Sequence, residues 1–259
     1  MIRVDVYLFV EGYSKSRESA QRSIEAGLVI IDGKSVKKPS EKIDETIEHS
    51  VTCESTIVYV GRGGLKLEAA LDAFGVDPSG KVCFDIGAST GGFTDCLLKR
   101  GAERVYAIDS GRDQLAKELK DDRRVVSLEG MNARFLDFDS VGTYADIIVM
   151  DVSFISQTLI LPRFPLLLND DGEIVTLIKP QFECGREAIG KGGIVKKPEH
   201  RLGAIRRVVA TAEECGLHLH SLIRSPIEGG DGNVEFLAYF KKENSCQSNE
   251  VILGRVDYK

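Results

Sequence analysis

Residues 85–94 read Asp-Ile-Gly-Ala-Ser-Thr-Gly-Gly-Phe-Thr, an apolar strand that runs into a glycine turn and then into a helix. Glycine permits positive φ and close backbone approach, and the helix that follows such a turn offers free N–H groups to a ligand. Strand–turn–helix units of this kind assemble most readily as a helix-covered, largely parallel sheet. The rest of the chain keeps that alternation. Strands are predicted at 82–85, 104–109, 125–128, 145–151 and 173–179, with helices at 93–100, 114–120 and 158–168 between them. A long helix at 199–215, a strand at 217–224, a turn containing Gly229, Gly230 and Gly232, and a strand at 234–240 predict a terminal antiparallel hairpin. The expected fold class is therefore α/β: a seven-stranded Rossmann-like sheet, mostly parallel, of the kind common among methyltransferases.

Ahead of this sheet, residues 1–58 read as a small α+β unit. Helices are predicted at 4–10 and 16–26, the second with Ala20 and Ile24 four apart on one face and Gly27 as its stop. A β-branched run at 28–31, the Asp32-Gly33 pair and Lys34-Ser35-Val36 predict a tight hairpin. Residues 59–64, Tyr-Val-Gly-Arg-Gly-Gly, predict a linker because the glycines leave the backbone underdetermined. A helix follows, with Leu67, Leu71 and Phe74 on one stripe and Gly75 at its end. Residues 65–243 are thus expected to hold the sheet and residues 244–259 a polar tail, in which Val251 to Leu253 is apolar enough to dock.

With 42% hydrophobic and 29% charged residues, the composition excludes disordered and collagen-like classes. Apolar runs such as 147–150 fall far short of the ~20 residues a membrane span requires. The start has no basic-then-apolar leader, so the expectation is a cytoplasmic protein with no membrane partner. Six cysteines without a CxxC pair indicate neither a zinc knuckle nor a disulfide framework. His218 and His220 share a strand face but lack a third ligand, so no metal is expected. The net charge of −6 means that nucleic acid would have to meet a local basic face. Residues 15–38 offer one, with Lys15, Arg17, Arg22, Lys34, Lys37 and Lys38 against Glu18, Glu25 and Asp32. Lys15 and Arg22 are seven apart and share a helix face. The same residues also fit a solvated helix with a Glu18–Arg22 ion pair, and composition leaves both readings open.

The glycine turn has GxxxGG spacing rather than the GxGxxG of dinucleotide enzymes. Asp109 ends the next strand, where a carboxylate can accept both hydroxyls of a ribose. A nucleoside without a pyrophosphate is indicated, and S-adenosylmethionine is the cofactor these features point to. Residues 185–192 nearly spell a phosphate-binding loop, but position 192 lacks a Ser or Thr and no helix follows at once. A flexible lid whose Lys191, Lys196 and Lys197 face an anionic substrate is the better reading. Asp151, Lys179 and Glu235 lie at or near the ends of apolar strands, and Lys66 in the helix after the linker. As a set they suit methylation of a sugar hydroxyl. Lys179, made less basic by a second lysine, would take the alcohol proton, while two carboxylates orient the ammonium groups. Asp151-Val152-Ser153-Phe154 lacks the Pro-Pro of amino-methylating enzymes, and no Pro-Cys pair is present for pyrimidine carbon methylation.

Several ordered motifs now stand together. They are Ser16-Arg17-Glu18-Ser19-Ala20-Gln21, Arg62-Gly63-Gly64-Leu65-Lys66-Leu67-Glu68, the turn at 85–95, Asp151-Val152-Ser153-Phe154-Ile155-Ser156, Lys179-Pro180-Gln181-Phe182-Glu183 and Gly232-Asn233-Val234-Glu235-Phe236-Leu237. From Arg3 to about Lys241 the chain resembles the TlyA/haemolysin A family of bacterial ribosomal RNA 2′-O-methyltransferases. The resemblance implies an N-terminal RNA-binding domain of the ribosomal-protein S-four type (alpha-L motif) and an FtsJ/RrmJ-like catalytic domain. It implies a catalytic tetrad at Lys66, Asp151, Lys179 and Glu235, the set reached above from strand ends. The cofactor-binding candidates are Asp85, Gly87, Ser89, Gly91, Gly92, Phe93, Asp109 and Asn132, and Arg62 joins the basic residues of 15–38 as RNA-binding. The implied substrate is cytidine in ribosomal RNA within ribosomal subunits, with no stable protein partner evident. After the ribose-binding Asp the chain has Ser110-Gly111-Arg112-Asp113 where many relatives read Val-Gly-Tyr-Gly. Two rival functions are a membrane-lytic haemolysin, disfavoured by the missing leader and apolar span, and an inactive RNA-binding assembly factor, disfavoured because all four tetrad positions are occupied.

Overall fold

The computed structural model describes residues 1–14, 17–25, 27–53, 59–229 and 232–259. The chain divides into two compact units, Met1–Arg62 and Gly63–Lys259.

In the first unit β1 (Ile2–Arg3) leads into α1 (Val4–Val10), and α2 (Arg17–Glu25) follows. The second helix stops because Gly27 takes φ +75°, which lets the Leu28 N–H donate back to the Ser23 carbonyl at 3.0 Å. Then β2 (Val29–Ile31) turns through Asp32 and Gly33, both at positive φ as a two-residue hairpin requires, into β3 (Lys34–Ser35). Two further strands, β4 (Lys42–Ile43) and β5 (Val51–Cys53), pair with β1 and β2. Tyr7, Leu8, Ala20, Ile24, Val29 and Ile43 share one buried cluster, with Ala20 and Ile24 on the inward face of α2. The buried Asp5 carboxylate fastens the two helices together. It accepts from Arg3 Nε at 2.9 Å, Gln21 Nε2 at 2.5 Å and Arg17 Nη2 at 3.3 Å. The Arg3 guanidinium holds this carboxyl well below the usual carboxylate range.

The second unit opens with α3 (Gly63–Phe74), so Gly63 and Gly64, expected in a linker, form the first turn of a helix. Burial of Leu67, Ala70 and Leu71 along that helix offsets the propensity cost of about 1 kcal/mol per glycine. There follow β6 (Val82–Ile86), α4 (Gly92–Lys99), β7 (Arg104–Asp109), α5 (Lys117–Lys120), β8 (Val125–Glu129), α6 (Phe138–Val141) and β9 (Ala145–Met150). The unit is completed by β10 (Leu168–Ile178), α7 (Pro180–Glu183), α8 (Pro198–Glu214), β11 (His218–Arg224), β12 (Phe236–Lys241) and α9 (Asn249–Leu253). Among the described residues these strands make a seven-stranded sheet ordered β11-β12-β10-β9-β6-β7-β8. The pairs from β8 across to β10 are parallel, whereas β12 runs antiparallel to both of its neighbours. This is the mostly parallel sheet with a terminal antiparallel hairpin that the residue pattern predicts. Ile147, Ile148, Val149 and Met150 are all fully buried, which is why this strand shows an unbroken apolar run instead of alternation. Phe84, Ile148, Phe164, Val208 and Phe236 belong to one core beneath the helices, each contributing about 1.5–3 kcal/mol by burial.

The chain order reverses between β6 and β9, and the carboxyl ends of those strands define a crevice there. Other segments depart from expectation for local reasons. The stretch at 158–168 makes two 3₁₀ turns, Gln157–Leu159 and Leu161–Leu166, because Pro165 removes a helix donor. The helix predicted at 114–120 is shortened to its last turn, since the Gln114 and Leu115 N–H groups donate to Glu129 Oε1 instead. The strand predicted from 173 begins at Leu168, with a register break before Glu173. The segment from 244, expected as a polar tail, forms α9 and buries Ile252 and Leu253 in the sheet's core.

Candidate active site

The glycine turn is built by close approach. Gly87 has φ +85°, and a Cβ there would lie 2.4 Å from the Asp151 carbonyl oxygen, so only a glycine lets the end of β6 pass the residue after β9. Gly91, at φ +99°, caps α4, and a Cβ on it would meet Leu119 at 2.2 Å. Across the turn the Asp109 carboxylate accepts from Ser89 N–H at 2.8 Å and from Gly111 N–H at 2.7 Å. Each carboxylate oxygen retains a lone pair for a ligand hydroxyl. A cavity of about 480 Å³ opens here, lined among others by Gly87, Ser89, Asp109, Asn132, Asp151 and Phe154. That volume lies in the range of small-molecule sites.

Of the candidate cofactor residues, Gly87, Ser89, Asp109 and Asn132 line the cavity, whereas Asp85, Gly91, Gly92 and Phe93 are not on its wall. Asn132 caps a 3₁₀ turn through its side chain, accepting from Arg134 N–H at 3.1 Å. Asp85 is fully buried; Thr94 Oγ1 donates to its Oδ2 at 2.6 Å, and among the described residues its Oδ1 has no hydrogen-bond partner. Burial pushes the Asp85 carboxyl up to about 7. Between the ordinary carboxylate value and about 7 the folded state thus holds a proton that the unfolded chain has lost. The stabilisation is present at low pH and is lost as pH rises through 7. Melting temperature is expected to fall between pH 5 and about 7.5, and to fall less in Asp85→Asn; equal pH profiles would refute this assignment.

The four charged residues meet as two ion pairs. Lys66 on α3 is buried, and its Nζ donates to Glu235 Oε2 at 2.5 Å. Lys179 follows β10; its Nζ is in ionic contact with Asp151 Oδ1 at 2.6 Å and donates a hydrogen bond to Ser153 Oγ at 2.8 Å. Asp151 alone of the four lines the cavity. Its Oδ2 also lies near the start of α3, 3.9 Å from where a Cβ on Gly63 would be, one turn before Lys66. Each ammonium thus has its own carboxylate, in line with two carboxylates orienting two lysines.

Sequence reasoning passed over Ser153 and Phe154. Phe154 has φ +63°, a strained conformation for a bulky residue, and is 93% exposed. Its ring packs 5.2 Å from that of Phe182, which follows Lys179 on α7. Burial raises Glu183, which accepts from Gln157 N–H at 2.8 Å and from Ser156 Oγ, and so anchors the loop that carries Ser153 and Phe154. An aromatic residue just beyond a strand's carboxyl end was the available signal.

In the first unit Lys34, Lys37 and Lys38 are exposed, Arg17 is half-exposed while paired with Asp5, and Arg62 is half-buried. Lys15 and the side chain of Arg22 lie outside the described residues. Lys191, Lys196 and Lys197 are exposed on the loop before α8. Among the described residues no helix is long and apolar enough to cross a membrane.

Comparison with known proteins gives a consistent picture. The model of the FtsJ-like methyltransferase family matches residues 59–242, and that of the S4 domain matches residues 2–46. Hemolysin A of Brachyspira hyodysenteriae is 44% identical over 240 residues, 92% of this chain and 99% of that protein. The 16S/23S rRNA (cytidine-2'-O)-methyltransferase TlyA of Mycobacterium tuberculosis is 42% identical over 241 residues, 93% of this chain and 90% of that protein. A solved chain from Streptococcus thermophilus, named for hemolysin, superposes with a TM-score of 0.75 at 42% identity, covering 98% of this chain and 94% of its own.

Proposed function

Since the chain belongs to the FtsJ-like methyltransferase family, among the relatives named TlyA and hemolysin A, we propose that it methylates the ribose 2′-hydroxyl of a cytidine in ribosomal RNA. The observation that carries this reading is the Lys179–Asp151 pair, at 2.6 Å, with Asp151 on the wall of the crevice cavity. The residues suit S-adenosylmethionine. Asp109 offers a carboxylate to ribose hydroxyls, Gly87 leaves room for close approach, and Asn132 stands on the same wall. When bound, that cofactor supplies an electrophilic methyl group on a sulfonium. In its neutral form Lys179 takes the proton of the target hydroxyl, while Ser153 and Asp151 fix the direction of its lone pair. The Lys66–Glu235 pair is buried and ties α3 to the start of β12. The basic residues of the first unit meet RNA phosphates and set register without reading sequence.

Phe154 fits a flipped base, because an exposed ring held by a strained backbone at the cavity rim is a stacking platform. Phe154→Ala is expected to raise the KM for RNA by about 5- to 100-fold, the range given by loss of one base stack, with cofactor affinity unchanged. An unchanged KM would sink that role. The overall reading is tested by transfer of labelled methyl from S-adenosylmethionine to purified small and large ribosomal subunits separately, with nuclease digestion to separate ribose from base label. Ribose label in either subunit supports it; label on a base, or none despite cofactor binding, rejects it.

A further inference from the structure

Asn233 lies two residues before Glu235 in the turn that leads into β12 and is 1% exposed. Both ends of its amide are spent on one loop: Val195 N–H donates to Oδ1 at 3.0 Å, and Nδ2 donates to the Gly193 carbonyl at 3.0 Å. That loop closes on itself, with Gly190 N–H donating to Ile194 O at 2.9 Å and Gly193 N–H to Gly190 O at 3.1 Å. Exposed Lys191 precedes the pinned residues and exposed Lys196 follows them. The Val195 carbonyl is held in turn by Arg201 Nε at 2.9 Å. On the other side, the Asn233 carbonyl accepts from Gly229 N–H at 2.9 Å. The Glu235 carboxylate rests against Gly229, where a Cβ would lie 2.5 Å from Oε1.

One buried side chain therefore joins the lysine-bearing loop to the backbone beneath Glu235. A primary amide that satisfies a donor and an acceptor of another segment does so in one register only, and losing it leaves the buried Val195 N–H without its acceptor. We propose that Asn233 is a positioning residue for the Lys66–Glu235 pair: by fastening residues 190–195 to the segment that runs from Gly232 into β12, it seats Glu235 against Lys66. The proposal rests on the reading of Lys66 and Glu235 as parts of the methyl-transfer site.

The test is a double-mutant cycle on the full chain with Asn233→Ser, Glu235→Gln and their combination. Single-turnover transfer of labelled methyl to ribosomal subunits is read together with cofactor affinity and amide exchange of segment 190–195. Asn233→Ser is expected to slow transfer about tenfold or more and to release the Val195 amide to exchange, while cofactor Kd stays unchanged. In the Glu235→Gln background it is expected to add less than about threefold, since it acts through that carboxylate. Losses that multiply in full, or an Asn233→Ser enzyme with wild-type rate, overturn the proposal. Full activity of Glu235→Gln alone removes the underlying reading, and the proposal with it. If Asn233→Ser does not fold, the isosteric Asn233→Asp, which keeps the Val195 acceptor but not the Gly193 donor, carries the same cycle.

Discussion

Lys179→Ala is expected to lower methyl transfer by about two to four orders of magnitude while RNA affinity changes little, the loss typical of removing a positioned general base. The geometry gives Lys179 little else to do. Its Nζ is held by Asp151 at 2.6 Å and by Ser153 at 2.8 Å, and the side chain is only 12% exposed, so it is poorly placed to grip a phosphate at the surface. Lys179→Arg separates the two roles a cation can play here. A guanidinium preserves the charge beside Asp151 but cannot shed a proton at working pH, so it supports binding and not proton transfer. The arginine variant should be as inactive as the alanine one. These quantities are read by initial rates of label transfer and by filter binding of RNA under the same salt. Transfer by Lys179→Ala within about tenfold of wild type would take the residue out of the mechanism, and an active Lys179→Arg would reduce it to electrostatics.

How far the sequence carries depends on whether a signal is local. The glycines of the turn announce themselves because Gly87 and Gly91 sit at φ +85° and +99°, where side chains are strained wherever the chain goes next. Strand ends are equally local, and Asp109, Asp151 and Lys179 could be placed on one sheet edge from hydrophobic runs alone. What could not be read is how long-range contacts overrule local pattern. Gly63 and Gly64 read as a linker because glycine is flexible, yet burial of the following stripe draws them into α3. The stretch at 158–168 differs in kind, since its apolar periodicity reads as helix and a local residue, Pro165, leaves only 3₁₀ turns. Val251 to Leu253 is too short to prevail in a polar context until the core offers a place for Ile252 and Leu253. Partnership was also illegible. Charge spacing gave four converging residues but not that they separate into Lys66 with Glu235 and Lys179 with Asp151, which depends on contacts 169 and 28 residues apart along the chain for the two pairs. For Phe154 the sequence offers only an aromatic residue just past a strand end, while what singles it out, an exposed ring at positive φ, is conformational.

Glu235→Ala should destabilise the second unit by about 3–5 kcal/mol, more than any other single change considered, because it leaves the Lys66 ammonium buried without its counter-ion. Lys66 is 7% exposed and Glu235 2%, so water cannot replace the lost partner without the surrounding packing opening. In a chain of this size that corresponds to a fall in melting temperature on the order of 10 °C. Stability and chemistry can then be pulled apart. Replacing both members by apolar residues of similar volume, Lys66→Met with Glu235→Leu, removes two desolvated charges together and is expected to recover most of the lost stability. If the pair serves the reaction, methyl transfer stays lost in that stable double variant, and cofactor affinity, which we propose rests on the glycine turn and Asp109, stays near wild type. If the double variant regains both stability and transfer, the pair is a structural brace and the chemistry belongs to Lys179 and Asp151 alone. A Glu235→Ala protein that melts within about 1 °C of wild type would instead mean that Lys66 finds another acceptor, and the buried-pair account of this site would fall.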